Sequence, residues 1–130
     1  MIIDVYINKY DPPFNELAAN FVKFICKEYS ILPRKISVES SDLAGSTGMC
    51  FDEDDGKYTI LVKNDRDLGS IFTTIAHEMI HVKQYMTQDL GRLLDENADM
   101  PYEERWWEAE AFDNAVLLVE KFSKTININR

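Results

Sequence analysis

Thr73-Thr74-Ile75-Ala76-His77-Glu78-Met79-Ile80-His81-Val82 carries both histidines of this 130-residue chain, set in the pattern His-Glu-x-x-His. The stretch lies inside a longer run, Leu68 to about Gln88, that reads as a helix. Asn64-Asp65-Arg66-Asp67 offers capping residues ahead of it, and Ile71, Ile75, Met79, Val82 and Met86 recur as its buried stripe. Residues four apart on a helix share a face, so His77 and His81 can grip one metal ion together. Glu78 projects beside them, where it can hold and deprotonate a metal-bound water. At about 100° per residue both histidines fall on the far side of the wheel from the apolar stripe, away from where a core histidine is expected.

Downstream, Gly91 is expected to end the helical run and Asp95 to Met100 to form a polar connector. Pro101 then begins a last helix, with Glu103 and Glu104 favouring the positive end of its dipole. It runs through Trp106-Trp107-Glu108-Ala109-Glu110-Ala111 to about Ser123, with Trp107, Ala111, Ala115, Leu118, Val119 and Phe122 as its packing face, and Thr125 to Arg130 is left as a tail with strand character. Upstream, Ile2 to Ile7 reads as a short strand. Asp11-Pro12-Pro13 opens an amphipathic helix whose apolar residues run from Phe14 to Tyr29, ending before Pro33. Arg34 to Ser40 is a second strand, and Ser41 to Gly48 a loop. Met49-Cys50-Phe51 and Lys57 to Lys63 form a hairpin across Asp52-Glu53-Asp54-Asp55-Gly56. That acidic turn is not an EF-hand loop: its glycine comes one residue early, and Lys63 stands where the final bidentate glutamate belongs.

One domain is expected at this length, and an apolar content of 45% is enough for a core without covalent staples. A net charge of −9 argues against a nucleic-acid partner, whose backbone needs clustered Lys and Arg. Cys26 and Cys50 lack CxxC spacing, and Cys26 in its apolar stretch reads as a buried free thiol. The N-terminus lacks the basic flank of a signal peptide, and no run approaches the roughly 20 apolar residues of a membrane span. A cytoplasmic protein without a membrane partner is the expectation. The fold class is α+β: three main helices packed on a short, mostly antiparallel sheet.

Structural zinc usually takes four protein ligands, whereas catalytic zinc keeps three and leaves a place for water. Two histidines are all this chain can give, so a third ligand must be a carboxylate from an element beside the motif helix. Glu108 and Glu110 are the two on offer. His77-Glu78-Met79-Ile80-His81 followed by a helix carrying Glu-x-Glu-Ala resembles the gluzincin metallopeptidases, in particular compact bacterial and phage-encoded forms loosely related to the ImmA/IrrE-like group. The likeness spans roughly Lys57 to Val119. It implies a zincin-like fold and one Zn2+ held by His77, His81 and Glu108, with Glu110 the alternative ligand. It implies Glu78 as general base in peptide hydrolysis, and a peptide or protein substrate lying along a sheet edge strand. The chain departs from the thermolysin pattern at Phe112, where an orienting Asp is usual; Asp113 or Asn114 could take that place from a shifted register.

An oxyanion would need a further donor. Tyr85, Tyr102 and Arg105 are the candidates, and Tyr102 is set beside Glu78 as the second catalytic residue. The expected activity is that of a zinc peptidase with a narrow intracellular target. The alternative is a catalytically weak or inactive zincin-fold module that regulates or binds, and a plainer one is an α+β domain whose histidines only pack.

Overall fold

The structure is a computed structural model that describes residues 1–7, 12–63 and 67–128. Asp11, Asn64, Asp65 and Arg66, read above as capping residues, lie outside the described residues, as do Asn129 and Arg130 of the tail. Strand β1 (Ile2–Tyr6) leads through helix α1 (Pro12–Glu28) to β2 (Lys35–Ser41). The hairpin β3 (Gly48–Asp52) and β4 (Lys57–Lys63) follows, then α2 (Leu68–Thr87), α3 (Leu90–Glu96), a 3-10 turn (Tyr102–Glu104) and α4 (Trp106–Ile128).

The sheet is mixed, in the order β1-β2-β4-β3, and only β3–β4 is antiparallel. This corrects the expectation of a mostly antiparallel sheet. A helical crossover between consecutive strands returns the chain in the same direction, so α1 makes β1 and β2 parallel. The hairpin then places β4, not β3, beside β2, where it too runs parallel. Four α-helices replace the expected three. The chain leaves α2 at Asp89, which adopts a left-handed φ of 55°, and Gly91 lies within the added helix α3 instead of stopping one.

Alternation along the strands builds the core. Ile36 and Val38 of β2 and Tyr58, Ile60 and Val62 of β4 are buried on the helix-bearing face. There they join Phe21, Val22 and Ile25 of α1 and Ile71, Ile75 and Met79 of α2 in one hydrophobic cluster. Phe14, Phe21, Phe72 and Phe122 pack ring against ring where α1, α2 and α4 meet, at centroid separations of 4.9 to 6.5 Å. Among the described residues no helix is long and apolar enough to cross a membrane.

Helix α2 is the centre of the molecule. Asp67 caps it, its side chain accepting the backbone N–H of Ser70 at 2.8 Å. The expected stripe of Ile71, Ile75, Met79 and Val82 is buried, but Met86 is exposed at the last turn. Burial also extends around the helix to Thr74, Glu78, Ile80, His81 and Gln84, because β3 and β4 cover one side and α4 the other. The histidines are off the apolar stripe, yet His81 is only 7% exposed.

Helix α4 begins at Trp106 and not at Pro101, since Tyr102–Glu104 form a separate 3-10 turn. That shift puts Glu108, in place of Glu103 and Glu104, in the first turn of the helix. Trp107, 1% exposed, anchors this end of α4 in the protein. The helix continues through Thr125 to Ile128, where a tail with strand character was expected, and carries Ala111, Ala115, Leu118 and Phe122 on its buried face, with Val119 half-buried.

Candidate metal centre

His77 and His81 are one turn apart on α2, their ring centroids 4.9 Å from each other. Both present Nε2 to one oxygen of Glu108 on the neighbouring α4, each at 3.0 Å. One ligand atom from each of the three residues lies within 4.8 Å of the others, so the group could hold a metal ion. Tetrahedral zinc with bonds of about 2.0–2.1 Å separates its ligand atoms by about 3.3 Å, close to the 3.0 Å from each Nε2 to the Glu108 oxygen.

Glu110, one helical step pair further along, is turned elsewhere. It accepts from Lys83 Nζ and from Gln84 Nε2, both at 3.0 Å. Burial would raise its pKa, but hydrogen bonds from Gln84 and Lys83 lower it below the ordinary carboxylate value.

Gln84, unread in the sequence, decides the chemistry of the centre. It is fully buried, and its Nε2 donates to the Trp107 carbonyl at 2.9 Å as well as to the ionised Glu110. Two acceptors on one side require the NH2 group there, which leaves Oε1 facing His81 Nδ1 at 2.7 Å. An oxygen acceptor at that distance requires the proton of His81 on Nδ1. Neutral His81 therefore turns a bare Nε2 lone pair toward Glu108. Glu108 is itself an anion: burial opposes its ionisation, but the two imidazoles hold its pKa down at about 2. Two lone pairs cannot face each other at 3.0 Å without a positive species between them. A proton on His81 supplies it in the metal-free protein. Burial disfavours that charge, but Glu108, Gln84 and Glu78 outweigh it and raise the His81 pKa. A divalent cation would satisfy both Nε2 atoms and the carboxylate at once. The donor set fits such an ion.

Glu78 is 7% exposed and lies beside the triad. Burial raises its pKa against the lowering effect of His81 and His77, and Glu108 adds to the rise. Its carboxylate fits because β3 starts with a glycine. A methyl group at Gly48 would stand 2.5 Å from Thr74 Cγ2 and 3.0 Å from Glu78 Oε2. Nothing in the sequence marked Gly48 as part of the site; it read as the end of a loop.

The triad and Glu78 open into a cleft of about 900 Å³ between β3, α2 and α4, lined also by Leu90 and Leu94 of α3. No lysine or arginine lines it among the described residues. Of the three expected oxyanion donors, Tyr85 and Tyr102 border this cleft. Arg105 does not, donating instead to the Met100 carbonyl at 3.1 Å. The pKa of Tyr102 is raised by burial and by Glu108 and Glu78. Tyr85 is pushed up to about 12, chiefly by burial, so both phenols keep their protons at neutral pH. Neither residue proposed to orient a ligand histidine does so: Asp113 is exposed, and Asn114 donates to the Glu110 carbonyl at 2.8 Å. Gln84 does that work from α2 itself.

The wall of the cleft formed by β3 is a sheet edge. Lys63 N–H donates to the Thr47 carbonyl and Glu53 N–H to the Lys57 carbonyl, which fixes the phase of the ladder. Thr47, Met49, Phe51 and Glu53 therefore point their backbone groups at β4, while those of Gly48, Cys50 and Asp52 point away. Both cysteines are free thiols.

No protein-family model, curated protein or solved structure matches the chain.

Proposed function

We propose that this protein is a zinc-dependent peptidase of zincin-like fold, with His77, His81 and Glu108 as metal ligands and Glu78 as general base. The observation that carries the reading is the convergence of His77 Nε2 and His81 Nε2 on one Glu108 oxygen from a second helix, each at 3.0 Å, with Gln84 Oε1 set against His81 Nδ1. Zinc suits two imidazoles and one carboxylate better than calcium or magnesium, which take oxygen ligands. When bound, zinc supplies Lewis acidity, lowering the pKa of a coordinated water toward about 7 and polarising a carbonyl.

The remaining chemistry belongs to the chain. Glu78 takes a proton from the attacking water and delivers it to the leaving amine. Its raised pKa brings it closer to neutral pH, where such a base works best. Tyr102 donates to the oxygen that becomes negative; among the described residues no cationic side chain lines the cleft, and a neutral phenol is the available donor. An extended substrate lies along the outward-facing backbone of β3, exchanging main-chain hydrogen bonds with it.

Two measurements on protein purified without chelator test this reading. One zinc per chain is expected, lost in His77→Ala and Glu108→Ala and kept in Glu110→Ala. Glu78→Gln should retain the zinc while peptide cleavage, followed by mass spectrometry on a mixture of unstructured peptides, falls by at least about a hundredfold. Zinc retention unaffected by His77→Ala, or undiminished cleavage by Glu78→Gln, would exclude it.

A further inference from the structure

We propose that Ser46 sets the register at which an extended peptide pairs with β3, an inference that rests on the peptidase reading. Three outward-facing residues form the free edge, and Gly48 is the one beside the general base, its Cα lying where an added methyl would stand 3.0 Å from Glu78 Oε2. Gly48 is already occupied. Ser46 Oγ donates to its carbonyl oxygen at 2.6 Å and accepts its N–H at 3.3 Å. One hydroxyl thus takes both edge groups at the position nearest the reacting bond.

A hydroxyl bonding the backbone two residues on is a common way to shape a turn. Here the same contact blocks a rung of the ladder. An incoming main chain can pair with Cys50 but finds Gly48 filled, so its register is fixed from Cys50 onward. Near the scissile bond the substrate is left without strand pairing, held by the metal centre and Tyr102 alone. Ser46 is a positioning residue in this account, since it acts through Gly48.

Removing the hydroxyl should open the rung. In zinc-loaded full-length protein, Ser46→Ala is expected to lower KM on an unstructured quenched-fluorescent peptide by on the order of fivefold, the worth of about one net hydrogen bond, with kcat within twofold. Ser46→Thr keeps a hydroxyl and should restore the original KM. A KM that stays or rises in Ser46→Ala, or a fall in kcat, would overturn the inference. A second arm needs no catalysis. In the zinc-loaded Glu78→Gln background with the same peptide in excess, amide exchange should show new protection at Cys50 but not at Gly48. With Ser46→Ala added, both Gly48 and Cys50 should become protected. Equal patterns in the two proteins, or protection at neither amide, would sink the register assignment. Protection without turnover of the wild-type protein would instead count against the peptidase reading.

Discussion

Replacing Gln84 by methionine tests the argument on which the metal centre stands. Methionine has nearly the same length and can fill the fully buried site, so the change removes hydrogen bonds with little loss of volume. It strips the acceptor from His81 Nδ1, at 2.7 Å, and the donor from the Trp107 carbonyl, at 2.9 Å. Leaving two buried polar groups short of a partner costs about 1–3 kcal/mol each, so a loss of about 2–6 kcal/mol in stability is expected. Zinc affinity should fall by about 10–100-fold, because the imidazole is no longer held in the tautomer that exposes Nε2. Gln84→Glu is the informative companion. It still offers an oxygen to His81 Nδ1 but cannot donate to Trp107 and repels Glu110, so it should keep zinc affinity better than methionine while remaining less stable than the wild type. Competition with a fluorescent chelator gives the affinities, thermal melts the stabilities, and nitrogen-detected NMR of the imidazole the tautomer. An affinity of Gln84→Met within twofold of the wild type would refute the reasoning. So would a neutral His81 with its proton on Nε2.

Other residues make separate predictions. Gly48→Ala drives a methyl into Thr74 Cγ2 and Glu78 Oε2 without touching a ligand. It should therefore leave zinc stoichiometry intact and cut turnover at least about tenfold, with Thr74→Ser in the same chain recovering part of the loss; parallel loss of zinc and activity would show a purely structural role. Acid should release the metal by protonating imidazoles, not Glu108, whose pKa of about 2 keeps it anionic well below pH 4. Zinc content measured against pH should accordingly decline as acid protonates His81, whose pKa its surroundings raise, and retention down to about pH 3 would contradict the ligand set. Cys26 is 2% exposed, and burial pushes its thiol up to about 11. At pH 8 its alkylation by iodoacetamide should proceed only as fast as the protein opens, rising sharply in denaturant; rapid labelling of native protein, read by mass spectrometry, would disprove its burial.

What the sequence disclosed and what it withheld divide along a physical line. Properties set by neighbours in the chain were legible: the period-two burial of β4, the helical run from Leu68, the capping Asp67 and the one-turn spacing of His77 and His81. Properties set by chain segments far apart were not. The direction of the strand beside β2 depended on which arm of the hairpin was offered to it, and no residue pattern encodes that choice. Helix α2 ends where the sequence places it, at Thr87 with Gln88 as cap, but Asp89 and not Gly91 adopts the left-handed conformation after it. The residue pattern left Glu108 and Glu110 both open, because either could reach the motif helix; the packing face of α4 is the expected one, but its start moves from Pro101 to Trp106. Gln84 did leave a mark: a polar residue inside an apolar run, three positions after His81 and on its face. A ligand histidine needs something to hold its second nitrogen, so asking what meets His81 Nδ1 leads to Gln84 from the sequence alone. Gly48 left none. Its role is an absence of side chain where a buried carboxylate on another element needs room, and only the three-dimensional packing of β3 against α2 gives that absence a meaning.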